Sequence, residues 1–236
     1  MELDSSTMIT LTSSPSEVGV IQTWGTDYTA AAAALVLESL DDIESDRAER
    51  LLDDLSQKGH WGCMEHSGIT FLIRVPIFTA RQLMRTRTGK YNEYSLRYKR
   101  MLPRFYLPKD FFSDVKRASL ADAPEVHSDS DWAKTQVADQ YSRAWALYQS
   151  LVSKGLRKEQ ARMVLPLGAF TEMWMTIDLR NLLHFLNLRL DAHAQFEMRD
   201  LAAKMYAITM AHFPITCAMW EKYGRGPISH GPIQTP

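Results

Sequence analysis

Apolar residues recur at helical spacing along much of the chain and give way to denser, β-branched runs in two places. The alanine-rich stretch 28–39 and the segment 46–57 carry a helical period, the second closing at Gly59, where a C-terminal cap belongs. HSGITFLIRV, residues 66–75, is rich in β-branched and aromatic side chains and predicts a strand closed by Pro76. Residues 77–87 predict a helix, Thr88-Gly89-Lys90 a turn, and 91–98 an extended segment. The longest helical pattern, 132–154, ends at Gly155. A short helix follows over 158–163, stopped before Pro166, then a strand over 169–177 and helices over 179–190 and 197–212. Near the start, 8–11 is a strand candidate and Ser13-Ser14-Pro15 reads as a helix opening. Strands scattered among helices without regular β-α-β alternation predict an α+β fold.

Composition narrows the class. At 236 residues, 45% hydrophobic and 23% charged, with net charge −1, the chain has the balance of a soluble globular protein. No apolar run approaches the roughly 20 residues of a membrane span, and MELDSSTMIT lacks the basic and apolar regions of a signal peptide, so a cytoplasmic protein is expected. Residues 1–223 are expected to form one domain and the Gly/Pro-rich 224–236 a mobile tail. The two cysteines, Cys63 and Cys217, form no disulfide framework and stand in no zinc-ligand spacing, so no metal site is predicted.

Charge is unevenly spread. From Arg74 to Arg104 there are nine Lys/Arg and one acid, Glu93, whereas 38–54 and 110–131 are acidic and read as solvated surface. On a helix Gln82 and Arg85 lie at i, i+3 and Arg81 and Arg85 at i, i+4. On an extended segment Glu93, Ser95 and Arg97 share one side, and Tyr94, Leu96 and Tyr98 the other, against the core. Arginines, an amide and a hydroxyl converging on one concavity suit a phosphate monoester, whose oxygens guanidinium forks bind in pairs. The competing reading is a basic surface engaged in ion pairs, which the nine-to-one imbalance disfavours.

Arg85-Thr86-Arg87, seven residues and then Ser95, within NEYSLRY, resembles the signature of the flavin-dependent thymidylate synthases: Arg-His-Arg, seven residues, Ser. EHSGITFLIRVPIFTARQLMR before it, and ARMVLPLGAFTEMWMTIDLRNLLHFLNLRLDAHAQFEMR after it, are similar to two further blocks of that family. The resemblance implies a mixed β-sheet flanked by helices and a homotetramer with shared active sites. It also implies FAD as cofactor, with methylenetetrahydrofolate and NADPH as co-substrates in methylating position 5 of the uracil of a uridine 5′-monophosphate.

By the same resemblance Gln82, Arg85 and Arg97 meet the nucleotide phosphate and sugar, helped by Glu93 and Ser95. Arg162 and Arg189 approach the nucleotide as the catalytic pair, with Arg189 polarising a uracil carbonyl as negative charge develops. His60, Glu65, Thr86, Arg87, Asp178, Arg180 and His184 fall at flavin-side positions. Taken alone, Arg162 and Arg189 are helix-end cations, and lone histidines are usually structural. Neither cysteine has the Pro-Cys-His context of the flavin-independent synthases, and Ser95 has no adjacent base, so no covalent nucleophile is assigned.

The chain departs from the signature where Thr86 replaces histidine, and nearby at Lys90, Gly62 and Asp178. These changes touch the flavin and folate surroundings and leave the phosphate and uracil residues in place. They favour a specialised relative, such as the UMP methylases of polyoxin-type antibiotic biosynthesis, over a housekeeping dUMP-specific enzyme. Two non-catalytic readings also stand. One is an RNA-binding surface in which Tyr91, Tyr94, Tyr98 and Phe105 stack bases between the arginines; the other is a flavoprotein that binds nucleotide without turnover.

Overall fold

The computed structural model describes residues 8–113 and 125–224. Its centre is a four-stranded antiparallel sheet in the order β2-β3-β6-β4, formed by Glu17–Trp24, Gly68–Pro76, Phe170–Asp178 and Lys90–Glu93. β3 and β6 pair over nine residues from Gly68↔Asp178 to Pro76↔Phe170 without a register shift. Their shared face buries Ile69, Phe71, Ile73 and Val75 of β3 against Met173, Met175 and Ile177 of β6, alternate residues as the pleat requires. Trp174, on the opposite face of β6, is 49% exposed. A separate parallel pair joins β1 (Thr10–Thr12) to β5 (Arg104–Tyr106). Parallel and antiparallel pairings thus coexist, in different sheets.

Helices cover the apolar face. They are α1 (Asp27–Leu35), α2 (Ser45–Gln57), α3 (Ile77–Leu83), α4 (Ser130–Ser153), α5 (Lys158–Ala161), α6 (Leu179–Arg189), α7 (Phe196–His212) and α8 (Pro214–Met219). Leu182, Leu183, Phe185 and Leu186 of α6, Met198, Leu201, Ala202 and Met205 of α7, and Ala48 and Leu52 of α2 join the sheet's core. A second cluster of Met101, Phe105, Trp145, Tyr148, Ala161 and Ala169 seats α4 and α5. Buried Asp27 joins distant parts of the chain, its carboxylate accepting the Ile215 and Thr216 amides (3.1 and 2.8 Å) at the start of α8. Among the described residues no helix is long and apolar enough to cross a membrane.

Several expected elements differ. No helix begins at Ser13-Ser14-Pro15; the chain enters edge strand β2 at Glu17, and a bulge between Val20 and Gln22 breaks the alternation that would have revealed it. The helix expected over 28–39 ends at Leu35, where Val36 takes the left-handed conformation (φ 54°). That expected over 77–87 stops at Leu83, and the extended segment expected over 91–98 stops at Glu93. The short helix expected over 158–163 is α5 followed by a 3-10 turn at Arg162–Val164. As expected, Gly59 and Gly155 follow α2 and α4 with positive φ, 72° and 81°. Part of the acidic stretch 110–131 and the tail beyond Gly224 lie outside the described residues.

The basic segment finds its acids on neighbouring strands. Arg74 sits between Glu172 (2.5 Å) and Glu17 (3.5 Å), and Arg104 also pairs with Glu17 (2.5 Å). The Arg104 hydrogen bond, more than any other contact, holds the Glu17 carboxyl below its ordinary range. Arg74 and Arg104 are accordingly structural cations.

Gly68 is where β3, β6 and Trp24 meet: an added Cβ would fall 2.2 Å from Trp24 Cζ2 and 2.4 Å from the Ile177 carbonyl oxygen. Gly68→Ala is expected to cost about 2–3 kcal/mol in urea unfolding. Gly19→Ala, with nothing within 4 Å, should be neutral or stabilising by up to ~1 kcal/mol. Equal midpoints for the two variants would contradict this packing.

Candidate active site

The described structure distributes the expected site residues over three places. The first lies at the β4–β6 edge. Glu93 stands opposite Met173, and its Oε1 accepts the Thr171 hydroxyl hydrogen at 2.7 Å. The Tyr94 amide makes one more bond to β6, donating to the Glu172 carbonyl at 2.8 Å. The chain then turns, with the Ser95 carbonyl accepting from the Tyr98 and Lys99 amides. Period-two alternation ends there, and Tyr98, expected against the core, is exposed and stacks under the Arg97 guanidinium at 5.3 Å. Glu93 and Ser95 line a cleft of about 300 Å³ with Asn92, Lys99, Glu172 and Trp174.

Arg97 and Arg162 meet at one residue of α5. Arg97 Nε lies 3.5 Å from the Glu159 carboxylate, and Arg162 Nε donates to the Glu159 main-chain carbonyl at 3.3 Å. Arg157 also reaches that carboxylate, at 3.5 Å. Two guanidiniums on one carboxylate and a third on the same residue's main-chain carbonyl leave an excess of positive charge, which suits an arriving phosphate.

The second place is the end of α3 and the loop after it. Arg85 lies in the turn beyond the helix, its amide donating to the Gln82 carbonyl at 3.1 Å. The Tyr91 hydroxyl lies 3.0 Å from both the Leu83 and the Thr86 carbonyl oxygens, closing the signature loop, and burial pushes its phenol up to about 12. Gly89 is required where the loop passes this ring, since a Cβ there would come within 2.7 Å of the hydroxyl. Arg85 and Arg87 project exposed, with no ion pair among the described contacts. Gln82 is bonded to Gln195 at 2.6 Å. At the end of α6, Arg189 holds its Nε shielded from solvent with no hydrogen-bond partner among the described residues. A buried donor left so costs about 1–3 kcal/mol until something accepts from it, which marks Arg189 as a residue awaiting a ligand or neighbour.

The third place is the Gly68–Asp178 end of the sheet. Arg180 pairs with Glu65, which the 3-10 turn Gly62–His66 carries beside α6. Asp178 caps α6: its oxygens take the Asn181 amide (2.9 Å) and side-chain Nδ2 (2.8 Å), so both already have partners. Arg180 and His184, one turn apart, line a cleft of about 180 Å³ with Trp61, Leu183, Asn187 and Trp220. His60 is exposed just before this turn and does not line the cleft. The cleft combines a guanidinium, an imidazole, two indoles and a buried Asn187 Oδ1 that has no partner. Cations for a pyrophosphate and aromatic faces for a ring fit part of a flavin dinucleotide, and the cleft is sized for a part only.

The clefts at the first and third places share no lining residue. Glu93 faces Met173, five residues along β6 from Asp178, about 17 Å at strand rise. The expected phosphate-side residues Glu93 and Ser95 thus lie toward one end of the β3–β6 ladder and the flavin-side Asp178 and Arg180 at the other. Glu159, Thr171, Trp61, Asn187, Gln195 and Trp220 escaped the sequence reading. Thr171, Asn187 and Gln195 lie within the 161–199 block but carry no pattern that singles them out; Glu159, Trp61 and Trp220 are brought in by packing of segments distant in sequence. Burial raises the Cys63 thiol and pushes that of Cys217 up to about 12, so neither is a ready nucleophile at neutral pH.

Comparison with known proteins bears directly on these features. The family described as "Thymidylate synthase complementing protein" matches residues 19–215. A flavin-dependent thymidylate synthase of Treponema denticola is 35% identical over 219 residues, covering 90% of this chain and 81% of that protein. One from Pseudothermotoga lettingae is 32% identical over 206 residues, covering 87% and 90%. Among solved structures, the UMP/dUMP methylase PolB of Streptomyces cacaoi bound with 5-Br UMP superposes with a TM-score of 0.82 at 29% identity, over 92% of this chain and 98% of that one. Its structure with 5-Br dUMP gives 0.83 over 92% and 99%.

If Tyr91 closes the signature loop, Tyr91→Phe should lower the unfolding free energy by about 1–2 kcal/mol. Tyr94→Phe, which loses an exposed bond to the Arg100 carbonyl, should cost at most ~0.5 kcal/mol. Urea midpoints in the reverse order would contradict the assignment.

Proposed function

The chain belongs to the thymidylate synthase complementing protein family, that of the flavin-dependent thymidylate synthases, and on that premise we propose that it methylates carbon 5 of the uracil of UMP as well as dUMP. In broad class it is a flavin-dependent uridylate methyltransferase. The observation that carries the ribonucleotide reading is its likeness to PolB, whose structures hold both a ribo- and a deoxyribonucleotide analogue on one fold. Thr86 inside the signature supports the same specialised reading; a dUMP-specific housekeeping enzyme is the alternative.

In this reading Arg97 and Arg162 bind the nucleotide 5′-phosphate, which displaces the Glu159 contacts, while Ser95 donates its hydroxyl and Glu93, held by Thr171, fixes the strand end beneath it. Gln82 and Arg85 complete the grip on phosphate and sugar. Arg189 faces a uracil carbonyl and stabilises the negative charge that builds on the ring, its guanidinium being already desolvated at Nε. Glu65, Arg180, His184, Thr86 and Arg87 would hold FAD, with His60 and Asp178 at the margin. When bound, the flavin supplies hydride drawn from NADPH, and methylenetetrahydrofolate supplies the carbon. The chain's own part is positioning, charge stabilisation and exclusion of water.

In this reading the complete site is built from more than one copy, as the homotetramer implied by the family resemblance would supply, and the separation of about 17 Å along β6 between Glu93 and Asp178 is spanned by nucleotide and flavin together. Trp174, 49% exposed on the sheet face opposite the core, is a side chain that such assembly would cover.

The test is tritium release from 5-tritiated UMP and dUMP, with FAD, NADPH and methylenetetrahydrofolate present. Release from both is expected, from a yellow protein that yields FAD on denaturation. Release from dUMP alone would overturn the ribonucleotide reading, and a colourless protein with steeply salt-dependent oligonucleotide binding would overturn the enzyme reading.

A further inference from the structure

A chain of side-chain hydrogen bonds leads away from the nucleotide residues, and the function proposed above does not use it. Gln82 Nε2 donates to Gln195 Oε1 at 2.6 Å, and Gln195 Nε2 donates to Glu197 Oε2 at 2.7 Å. The buried Tyr106 phenol neighbours the same carboxylate; burial first, and then the Glu197 charge, lift it well above the ordinary range. Gln195 is the residue preceding α7. Its carbonyl accepts from the Met198 and Arg199 amides, both at 3.0 Å, while its side chain makes no capping bond and is available to reach α3. Glu197 occupies the first turn of α7, where the helix end favours a negative charge.

The chain has a polarity set from one end. An ionised carboxylate can only accept, so Glu197 takes the NH₂ end of the Gln195 amide, and this turns Gln195 Oε1 towards α3. That oxygen also can only accept. It therefore takes the NH₂ end of Gln82, and Gln82 Oε1, which points in another direction from the same carbon, is left with no partner among the described residues. Without Glu197 both amides could turn over, and Gln82 could present either end.

We propose that Gln195 and Glu197 are positioning residues that fix this polarity, so that the Gln82 carbonyl oxygen accepts a hydrogen bond from a sugar hydroxyl of the nucleotide. The inference rests on the uridylate reading of the site and deepens it. A phosphate dianion carries acceptors only and is repelled by a carbonyl oxygen. Of the two contacts that the family resemblance gives Gln82, phosphate and sugar, the relay selects the sugar.

The experiment measures binding of dUMP and of 2′,3′-dideoxyuridine 5′-monophosphate to the FAD-loaded enzyme, alongside turnover of dUMP. Wild type should bind dUMP about tenfold more tightly than the dideoxy compound, the worth of one well-made hydrogen bond. Glu197→Gln and Gln195→Met should each weaken dUMP about tenfold and the dideoxy compound less than about twofold. In a Gln82→Ala background, Glu197→Gln should add less than about twofold, since the relay acts only through Gln82. FAD content and melting temperature report folding, and Gln195→Met carries the test if Glu197→Gln loses flavin. A variant that binds dUMP like wild type, or weakens both nucleotides equally, overturns the relay. If wild type methylates uridylate while Glu197→Gln is unaffected, only the relay fails; if wild type neither binds nor methylates uridylates, both readings fail.

Discussion

The antiparallel pairing of β3 with β6 runs unbroken from Gly68–Asp178 to Pro76–Phe170, and chemistry is attached at both ends of it. One end carries Asp178, Arg180 and, through the turn after α2, Glu65. At the other, β4 delivers Glu93 and Ser95 beside Thr171. A one-residue slip would carry Phe71, Ile73, Met173 and Met175 to the solvent face, so burial of these side chains locks the register. The same register keeps the two groups of site residues about 17 Å apart.

From that spacing follows the treatment of charge. Arg74 and Arg104 are neutralised by Glu17 and Glu172 across the sheet. Arg97 and Arg162 share the single residue Glu159, and Arg85 and Arg87 make no ion pair among the described residues. Cations that brace the sheet are thus paired within the chain, and those given to a ligand are under-compensated. The buried Nε of Arg189 and Oδ1 of Asn187 show the same incompleteness among hydrogen bonds.

Much of the fold was legible in the sequence where one physical signal dominated. The β-branched run of β3, the 3.6-residue period of α2, α4, α6 and α7, and the glycines closing α2 and α4 all stand where the pattern puts them. β2 was missed because an edge strand with a bulge lacks clean alternation, and Ser13-Ser14-Pro15 carries a local signal that tertiary pairing overrides. At the site, the signature named Arg85, Ser95 and Arg97 through resemblance. Spacing alone grouped the phosphate-side residues, and strand register adds that Glu93 and Asp178 stand about 17 Å apart along β6. Glu159, Thr171 and Asn187 were invisible because what they do depends on partners distant in sequence or on burial. Asp178 reads in the sequence as a changed flavin contact, whereas in the fold it begins a helix.

That one copy cannot complete a site is tested most directly by subunit mixing. Arg97→Ala and Arg85→Ala, each inactive alone, are co-expressed with different tags, and mixed oligomers are isolated and assayed for uridylate methylation. Sites shared between copies predict recovery of roughly a quarter of wild-type activity, since one pairing in four joins two intact halves. Mixed oligomers as inactive as their parents would show that both arginines must come from the same chain, contradicting the account.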